Sequence, residues 1–152
     1  MTVKEVMTPE VTTCHLDTNL AAASALLWEN DLRAVPVLTS TGEFVGVLTD
    51  RDICIALGTR NVRASELTAG EVVSGGALVC SSSDDIGVAL QLMRDAKVRQ
   101  LPVLNSDRRL EGLVSIGDVS IGHVDLSQSR DGDVVSLGDV LRAVQASQSI
   151  AA

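Results

Sequence analysis

The sequence is poor in aromatic residues: its 152 residues include one Trp, one Phe and no Tyr. Proteins that stack on the bases of single-stranded nucleic acid rely on aromatic side chains, so this class of binding is disfavoured. Excess positive charge is lacking as well, since 12 Lys and Arg residues stand against 20 Asp and Glu residues and the net charge is −8. A nucleic-acid duplex is therefore not an expected partner, because binding to its phosphates requires a basic surface.

Long apolar runs are also missing. No stretch approaches the roughly 20 apolar residues of a membrane-spanning helix. The opening residues, MTVKEVMTPE, lack the basic start and the apolar core of a signal peptide. We therefore expect a cytoplasmic protein without a membrane partner, whose 45% apolar content suffices for a packed core.

Motifs for metal binding and catalysis are absent too. The three cysteines, Cys14, Cys54 and Cys80, are widely spaced, and no CxxC or HxxxH pair supplies the usual ligand spacing. We expect all three to be small, partly buried apolar residues in a reducing compartment, in preference to a metal site shared with His15 or His123. Neither histidine belongs to a recognisable catalytic motif, so the sequence predicts a protein that is not an enzyme and requires no cofactor.

An internal repeat at a spacing of 66 residues is the main positive signal. The segment Arg33–Leu38 returns as Arg99–Leu104, and nine identities occur without a gap between residues 16 and 53 and their counterparts. In the same register Gly46-Val47-Leu48-Thr49 returns as Gly112-Leu113-Val114-Ser115, and Asp52 returns as Asp118. A duplication of this length decides the architecture.

Each copy predicts the order strand, helix, strand, strand, helix. In the first copy we expect a strand at 11–15, a helix capped by Asp17 or Thr18, strands at 35–39 and 44–49, and a helix from Asp50 to Gly58. A tight turn at 40–42 joins the two later strands, and Leu20, Ala23 and Leu27 form the apolar face of the first helix.

The second copy predicts corresponding elements at 77–80, 83–95, 100–104 and 110–115, with a last helix from Ile116. Extra residues are expected before its first strand, around Gly70–Gly76. The boundaries we expect are 3–58 for the first repeat, 64–124 for the second and 125–152 for a C-terminal extension. In that extension Ser136 caps a short helix whose apolar stripe covers its own body, a dimer mate or a foreign partner.

These features resemble a known family. The Pro36-Val37 strand, the hairpin and the run Gly46–Asp52 look like a CBS repeat, named for cystathionine beta-synthase, and the opening 3–8 is similar to the usual family start. Two repeats in tandem resemble a Bateman module and cover roughly residues 3–124, as in stand-alone bacterial CBS-pair proteins that carry no attached enzyme or transporter. The resemblance implies an α+β fold of two β-α-β-β-α repeats, packed with pseudo-two-fold symmetry, and a homodimer.

The sharpest candidate ligand residues are the pairs Thr49/Asp52 and Ser115/Asp118, each placed where a strand passes into a helix. Free backbone N–H groups and a hydroxyl at such a junction suit a phosphate, and the Asp can accept from both hydroxyls of a ribose. The alternative is a capping box, which helices use without any ligand. The resemblance also implies clefts shared between repeats, with Thr8 and Thr12 joining the second pair, and Ser74–Ala77 joining the first.

Three arginines are further candidates. Arg33 and Arg99, which precede the Pro-Val strands, could pair with a phosphate or simply neutralise a nearby carboxylate. Arg51 becomes Gly117 in the second copy, so the first cleft is expected to be the more cationic. Trp28 corresponds to Arg94 and is either a core residue or an exposed contact with another subunit, with the latter slightly favoured.

Two functions remain open from the sequence. In the first, a regulatory module senses AMP, ADP or ATP, or a relative such as S-adenosylmethionine or NAD, between its repeats and signals to an effector protein. In the second, the clefts stay empty and the chain is a structural or protein-interaction scaffold.

Overall fold

The computed structural model describes residues 1–121, with side chains described through residue 119. His123 and the predicted extension at 125–152, including the helix from Ser136, lie outside the described residues. The chain forms two compact units. The repeat-one unit comprises Val11–Ala77 and Asp107–Leu110, and the repeat-two unit comprises Met1–Glu10, Leu78–Ser106 and the residues from Glu111 onward.

Short helices and strands alternate along the chain. Their order is α1 (Val3–Val6), β1 (Cys14–His15), α2 (Leu20–Glu29), β2 (Ala34–Leu38), β3 (Phe44–Thr49), α3 (Asp50–Arg60), a 3-10 turn (Ala64–Glu66), α4 (Ala69–Val72), β4 (Cys80–Ser81), α5 (Ile86–Ala96), β5 (Gln100–Leu104), β6 (Leu110–Ser115) and α6 (Ile116–Ile121).

The repeat-one unit is built on a three-stranded sheet in the order β1-β2-β3. Strand β1 is parallel to β2, and β2 is antiparallel to β3. The predicted tight turn joins β2 to β3, with Gly42 at φ 87° and its N–H donating to the Thr39 carbonyl at 3.0 Å. Helix α2 buries Leu20, Ala23 and Leu27 against this sheet's core, which confirms its predicted apolar face.

The repeat-two unit has the matching three-stranded sheet in the order β4-β5-β6, with β4 parallel to β5. Helix α5 buries four apolar residues in its core, Ile86, Ala89, Leu90 and Met93. Strands β5 and β6 and the start of α6 fall at the predicted residues. The expected α+β class with two β-α-β-β-α repeats is confirmed.

Several predicted ends are wrong. Strands β1 and β4 each have two residues, and the helix N-caps are Asn19 and Asp85 in place of Asp17 or Thr18 and the position before Ser83. The Asn19 side chain accepts from the Ala22 N–H at 2.8 Å, whereas the Thr18 hydroxyl accepts from His15 N–H.

Helix α3 also continues past its predicted end. It passes through Gly58 and stops at Arg60, because Asn61 adopts the left-handed conformation at φ 52°. Asparagine tolerates this conformation better than most residues, so it can end a helix in place of glycine.

The 66-residue register extends to the segment that precedes each repeat. The α1 amide of Val3 donates to the Asp84 carbonyl at 2.9 Å in the repeat-two unit, and the α4 amide of Ala69 donates to the Thr18 carbonyl at 2.7 Å in the repeat-one unit. Donors and acceptors are each 66 residues apart. Residues 70–76 are therefore the counterpart of residues 4–10, and the expectation of extra residues there is wrong.

Exposure differs among the residues that the sequence singled out. Cys14 and Cys80 are buried as expected, whereas Cys54 is exposed on α3, which contradicts its predicted partial burial. Trp28 is 87% exposed, so the core alternative for this residue is wrong. Within residues 1–121, no helix combines the length and the apolar character needed to cross a membrane.

Candidate functional site

The first candidate site lies where β3 passes into α3. The Thr49 hydroxyl accepts from the Asp52 N–H at 3.0 Å, and Asp52 Oδ2 accepts from the Thr49 N–H, also at 3.0 Å. This is a complete capping box, the structural alternative raised by the spacing. The box uses one carboxylate oxygen only, and within the described chain no group donates to Asp52 Oδ1.

The second candidate site repeats this arrangement where β6 passes into α6. Asp118 Oδ2 accepts from the Ser115 N–H at 2.8 Å and from the Ser115 hydroxyl at 2.7 Å. The remaining oxygen, Oδ1, accepts from the Thr8 hydroxyl at 3.4 Å. Both oxygens of Asp118 are therefore engaged, whereas Asp52 keeps one oxygen open. Both carboxylates are half-buried.

The backbone donors at the start of α3 are not free, which contradicts the predicted phosphate cradle of N–H groups. Asp50 N–H donates to the Arg33 carbonyl at 2.9 Å, Arg51 N–H donates to the Asp50 side chain at 2.8 Å, and Asp52 N–H donates to Thr49. The acidic Asp50 side chain, which the sequence argument left out, accounts for one of these bonds. Recognition of a phosphate here has to come from side chains.

The arginines serve the fold through their main chains. The carbonyl of Arg33 accepts from the first amide of α3, and the carbonyl of Arg99 accepts from the first amide of α6, the Ile116 N–H, at 3.0 Å. Both residues are exposed, as is Arg51. The repeat-one site thus combines an open carboxylate oxygen with two exposed guanidinium groups on adjoining segments.

The segments that precede the repeats complete the two sites differently. Thr8 pairs with Leu113 of β6 through two backbone hydrogen bonds of 2.8 and 3.0 Å, and its hydroxyl reaches Asp118, as the family resemblance implied. Its counterpart Ser74 lies beside β3, where its carbonyl is 2.6 Å from the position of a Cβ on Gly46. Thr12 belongs to the repeat-one unit and is half-buried.

Glycine is required at this approach in both copies. A Cβ on Gly112 would lie 2.5 Å from the Thr8 carbonyl, which matches the contact at Gly46. The sequence interpretation of both glycines as places of close backbone approach therefore has a named partner in each unit.

Sequence reasoning missed a second pair of carboxylates. Glu5 accepts from the Thr2 N–H at 2.6 Å, and Glu71 accepts from the Thr68 N–H at 2.8 Å. These hydrogen bonds lower the pKa of both carboxyls, and the Thr hydroxyls add to the effect. The signal was present in the sequence as Thr-x-x-Glu-Val at 2–6 and 68–72.

Metal-binding and reactive groups are not gathered in the described chain. Within residues 1–119, no cluster of three or more His, Cys, Asp or Glu side chains is placed to hold a metal ion. Burial raises the pKa of the Cys14 thiol, and burial together with the Asp84 carboxylate raises the pKa of Cys80 to about 11. These two thiols are poor ligands and poor nucleophiles in the folded chain.

Comparison with known proteins follows the same division into two repeats. The CBS domain family model matches residues 3–59 and 69–121. Hypoxic response protein 1 of Mycobacterium tuberculosis is 30% identical over 119 residues, which are 78% of this chain and 82% of that protein. The CBS domain-containing protein YhcV of Bacillus subtilis is 30% identical over 122 residues, 80% of this chain and 85% of that protein.

Solved structures give the same likeness. Hypoxic response protein I with two coordinated zinc ions superposes with a TM-score of 0.72 at 29% identity, covering 82% of this chain and 99% of that one. CBSX2 in complex with AMP superposes with a TM-score of 0.71 at 26% identity, covering 84% of this chain and 98% of that one.

Proposed function

The chain belongs to the CBS domain family, and we propose that this regulatory module binds an adenine nucleotide or a related adenosyl ligand and signals to a partner protein. The observation that supports the proposal most directly is the open oxygen of Asp52. A ribose offers two adjacent hydroxyl donors, and a carboxylate oxygen is a strong acceptor for them. Asp52 is half-buried and already oriented by the capping box, so little freedom is lost when a ligand binds.

The charges around Asp52 favour an anionic ligand. In a chain of net charge −8, a phosphate experiences general repulsion, which a nearby guanidinium offsets locally. Arg51 and Arg33 are both exposed and adjoin this junction. A planar guanidinium can donate two hydrogen bonds to one phosphate, which suits the role better than an ammonium would.

The repeat-two site is less prepared for the same ligand. Its carboxylate is fully engaged, and Gly117 stands where the first repeat has Arg51. We therefore propose that the Thr49/Asp52 site binds an anionic nucleotide more tightly than the Ser115/Asp118 site. The relative that binds AMP, CBSX2, supports the choice of an adenine ligand, since it shares the fold over most of both chains.

A ligand-free scaffold is the competing function, and one observation favours it. The capping boxes at Thr49/Asp52 and Ser115/Asp118 account for these residues without any ligand. In that function the two repeats only present surfaces to other proteins.

A thermal-shift panel separates the two functions. AMP, ADP, ATP, S-adenosylmethionine and NAD are each added to the wild-type chain, and we expect at least one to raise Tm selectively. A ligand at 100 times its Kd stabilises the native state by about 2.7 kcal/mol. The matched variants are Asp52→Asn and Asp17→Asn, because Asp17 is an exposed carboxylate at a distance from the site in sequence. No shift with any ligand at millimolar concentration would support the scaffold.

Self-association is the second part of the proposal. The exposed apolar side chains include Trp28 at 87%, Val88 at 51% and Ile55 at 50%, all of them on helices. We propose a homodimer that covers part of this surface. A mass of 15.9 kDa by light scattering at micromolar concentration would contradict it.

A further inference from the structure

One end of α2 carries an unusual surface. A shallow groove of about 280 Å³ is lined by Leu27, Trp28, Asp31, Leu32 and Ile53, with Asp50 at its edge. Trp28 leaves 87% of its side chain uncovered within the chain. A tryptophan exposed to this degree beside a groove is typical of a docking site.

The corresponding surface of the second repeat has the opposite chemistry. In the 66-residue register Trp28 corresponds to Arg94, Asp31 to Lys97 and Leu32 to Val98. An aromatic ring thus matches a cation, and an acid matches a base. The apolar pair is similar in exposure, since Leu32 and Val98 are both 36% exposed.

The backbone holds the charged residues of both surfaces alike. Asp31 has φ 52° and Lys97 has φ 57°, so both adopt the left-handed conformation that follows the helix. The neighbouring acids Glu29 and Asp95 also correspond and contribute equal charge to both surfaces. Asp95 forms an ion pair of 3.0 Å with Arg94, whose side chain keeps 35% of its surface exposed.

We propose that the Trp28 surface of one copy docks onto the Arg94 surface of a second copy. The occupant is inferred from charge complementarity: Asp31 faces Lys97, and the Arg94 guanidinium approaches the Trp28 ring, an attractive arrangement for a cation and an aromatic face. Contact between two Trp28 surfaces would instead bring two Asp31 carboxylates together. In a two-fold dimer the contact occurs twice, because each copy supplies one surface of each kind.

The proposal rests on the homodimer proposed above and is independent of nucleotide binding. Its test is a charge exchange, with Asp31→Lys, Lys97→Asp and the double variant compared by sedimentation velocity. Each substitution introduces the residue that the other repeat carries at the same backbone conformation, so folding is expected to survive. Glu10→Lys, an exposed site with the same change in charge as Asp31→Lys, is the control.

We expect each single variant to weaken dimerisation by about tenfold or more, and the double variant to restore most of it. The control should leave the dimer unchanged. Since Trp28 is the only tryptophan, its emission should shift to the red as the wild-type dimer is diluted. A monomeric wild type would overturn both the homodimer and this surface. A dimer that tolerates both single variants, or a double variant without rescue, would overturn this surface alone.

Discussion

The Thr8 hydroxyl donates to Asp118 Oδ1 at 3.4 Å, across 110 positions of sequence. The counterpart of Thr8 in the other copy is Ser74, and no such bond to Asp52 occurs among the described residues. Two sites that look equivalent in the repeat alignment therefore differ in the number of acceptors that they leave for a ligand. This difference and the presence of Arg51 in the first copy both favour the Asp52 site.

Asp52→Asn should weaken AMP binding by about ten- to a hundredfold. The change removes a charge-assisted hydrogen bond, which contributes about 1.5–3 kcal/mol. Asparagine can still accept from the Thr49 N–H through its side-chain oxygen, so the start of α3 is expected to remain helical. Calorimetric titration of AMP and ATP measures the effect.

The control for this experiment is Asp118→Asn, the same change at the equivalent position. It should weaken the stronger site much less. Equal losses from both substitutions would leave nucleotide binding intact but contradict the proposed inequality. No heat from the wild type with any adenine ligand at millimolar concentration would contradict nucleotide binding altogether.

The sequence predicted the elements that carry strong periodicity and failed where several residues compete. Strands β5 and β6 were predicted at their observed residues because alternating apolar residues are bounded by turn residues. The cap of α2 was misplaced because Asp17, Thr18 and Asn19 all have side chains suited to capping. Only the folded backbone shows that Thr18 bonds to His15 and leaves Asn19 for the helix.

The candidate site was predicted in part for a similar reason. The Thr-x-x-Asp spacing located both strand-to-helix junctions, but the spacing is the same for a capping box and for a ligand site. The occupied amides at Asp50 and Arg51 depend on the rotamer of Asp50 and on the path of the chain at Arg33, which no spacing encodes. The counterpart of α1 was missed because few residues are identical between the two leading segments.

Gly46→Ala and Gly112→Ala should each destabilise the chain by about 1–3 kcal/mol, as overpacked sites usually do. The new methyl groups would lie 2.6 Å from the Ser74 carbonyl and 2.5 Å from the Thr8 carbonyl, too close for either to remain in place. Urea denaturation measures the change. Each substitution should also perturb the candidate site beside it.

Gly58→Ala is the matched control for those two variants. Gly58 lies within α3, and a Cβ there would meet nothing within 4 Å. Alanine in a helix interior is favoured over glycine by about 0.5–1 kcal/mol. We therefore expect Gly58→Ala to stabilise the chain, and destabilisation by all three variants alike would contradict the contacts described for Gly46 and Gly112.

The three cysteines should differ sharply in reactivity. Cys54 is exposed, whereas Cys14 and Cys80 are buried and have raised pKa values, about 11 for Cys80. Because the thiolate is the reactive form, a disulfide reagent should label one thiol rapidly in the native chain and all three after unfolding. Cys54→Ser should remove the rapid phase, and a rapid phase that persists in this variant would contradict the burial of the other two.

The glutamates of the leading segments should make stability fall in acid. Hydrogen bonds from the Thr68 N–H and hydroxyl hold the pKa of Glu71 below its usual value of 4.5. A carboxyl whose folded pKa is lowered stabilises the fold above its unfolded pKa, and this contribution is lost as the pH falls through the folded value. Glu71→Gln should therefore reduce the slope of stability against pH between about pH 5 and about pH 3.

Thr68→Ala provides the graded test of this assignment. It removes the hydroxyl donor but keeps the backbone N–H, which is the larger cause of the lowered pKa. The pKa of Glu71, followed by NMR titration of its side chain, should rise in this variant without returning to 4.5, while Glu5 should not change, because its donors come from Thr2. A full return to 4.5 would show that the backbone bond from Thr68 contributes nothing, and an unchanged value would show the same for the hydroxyl.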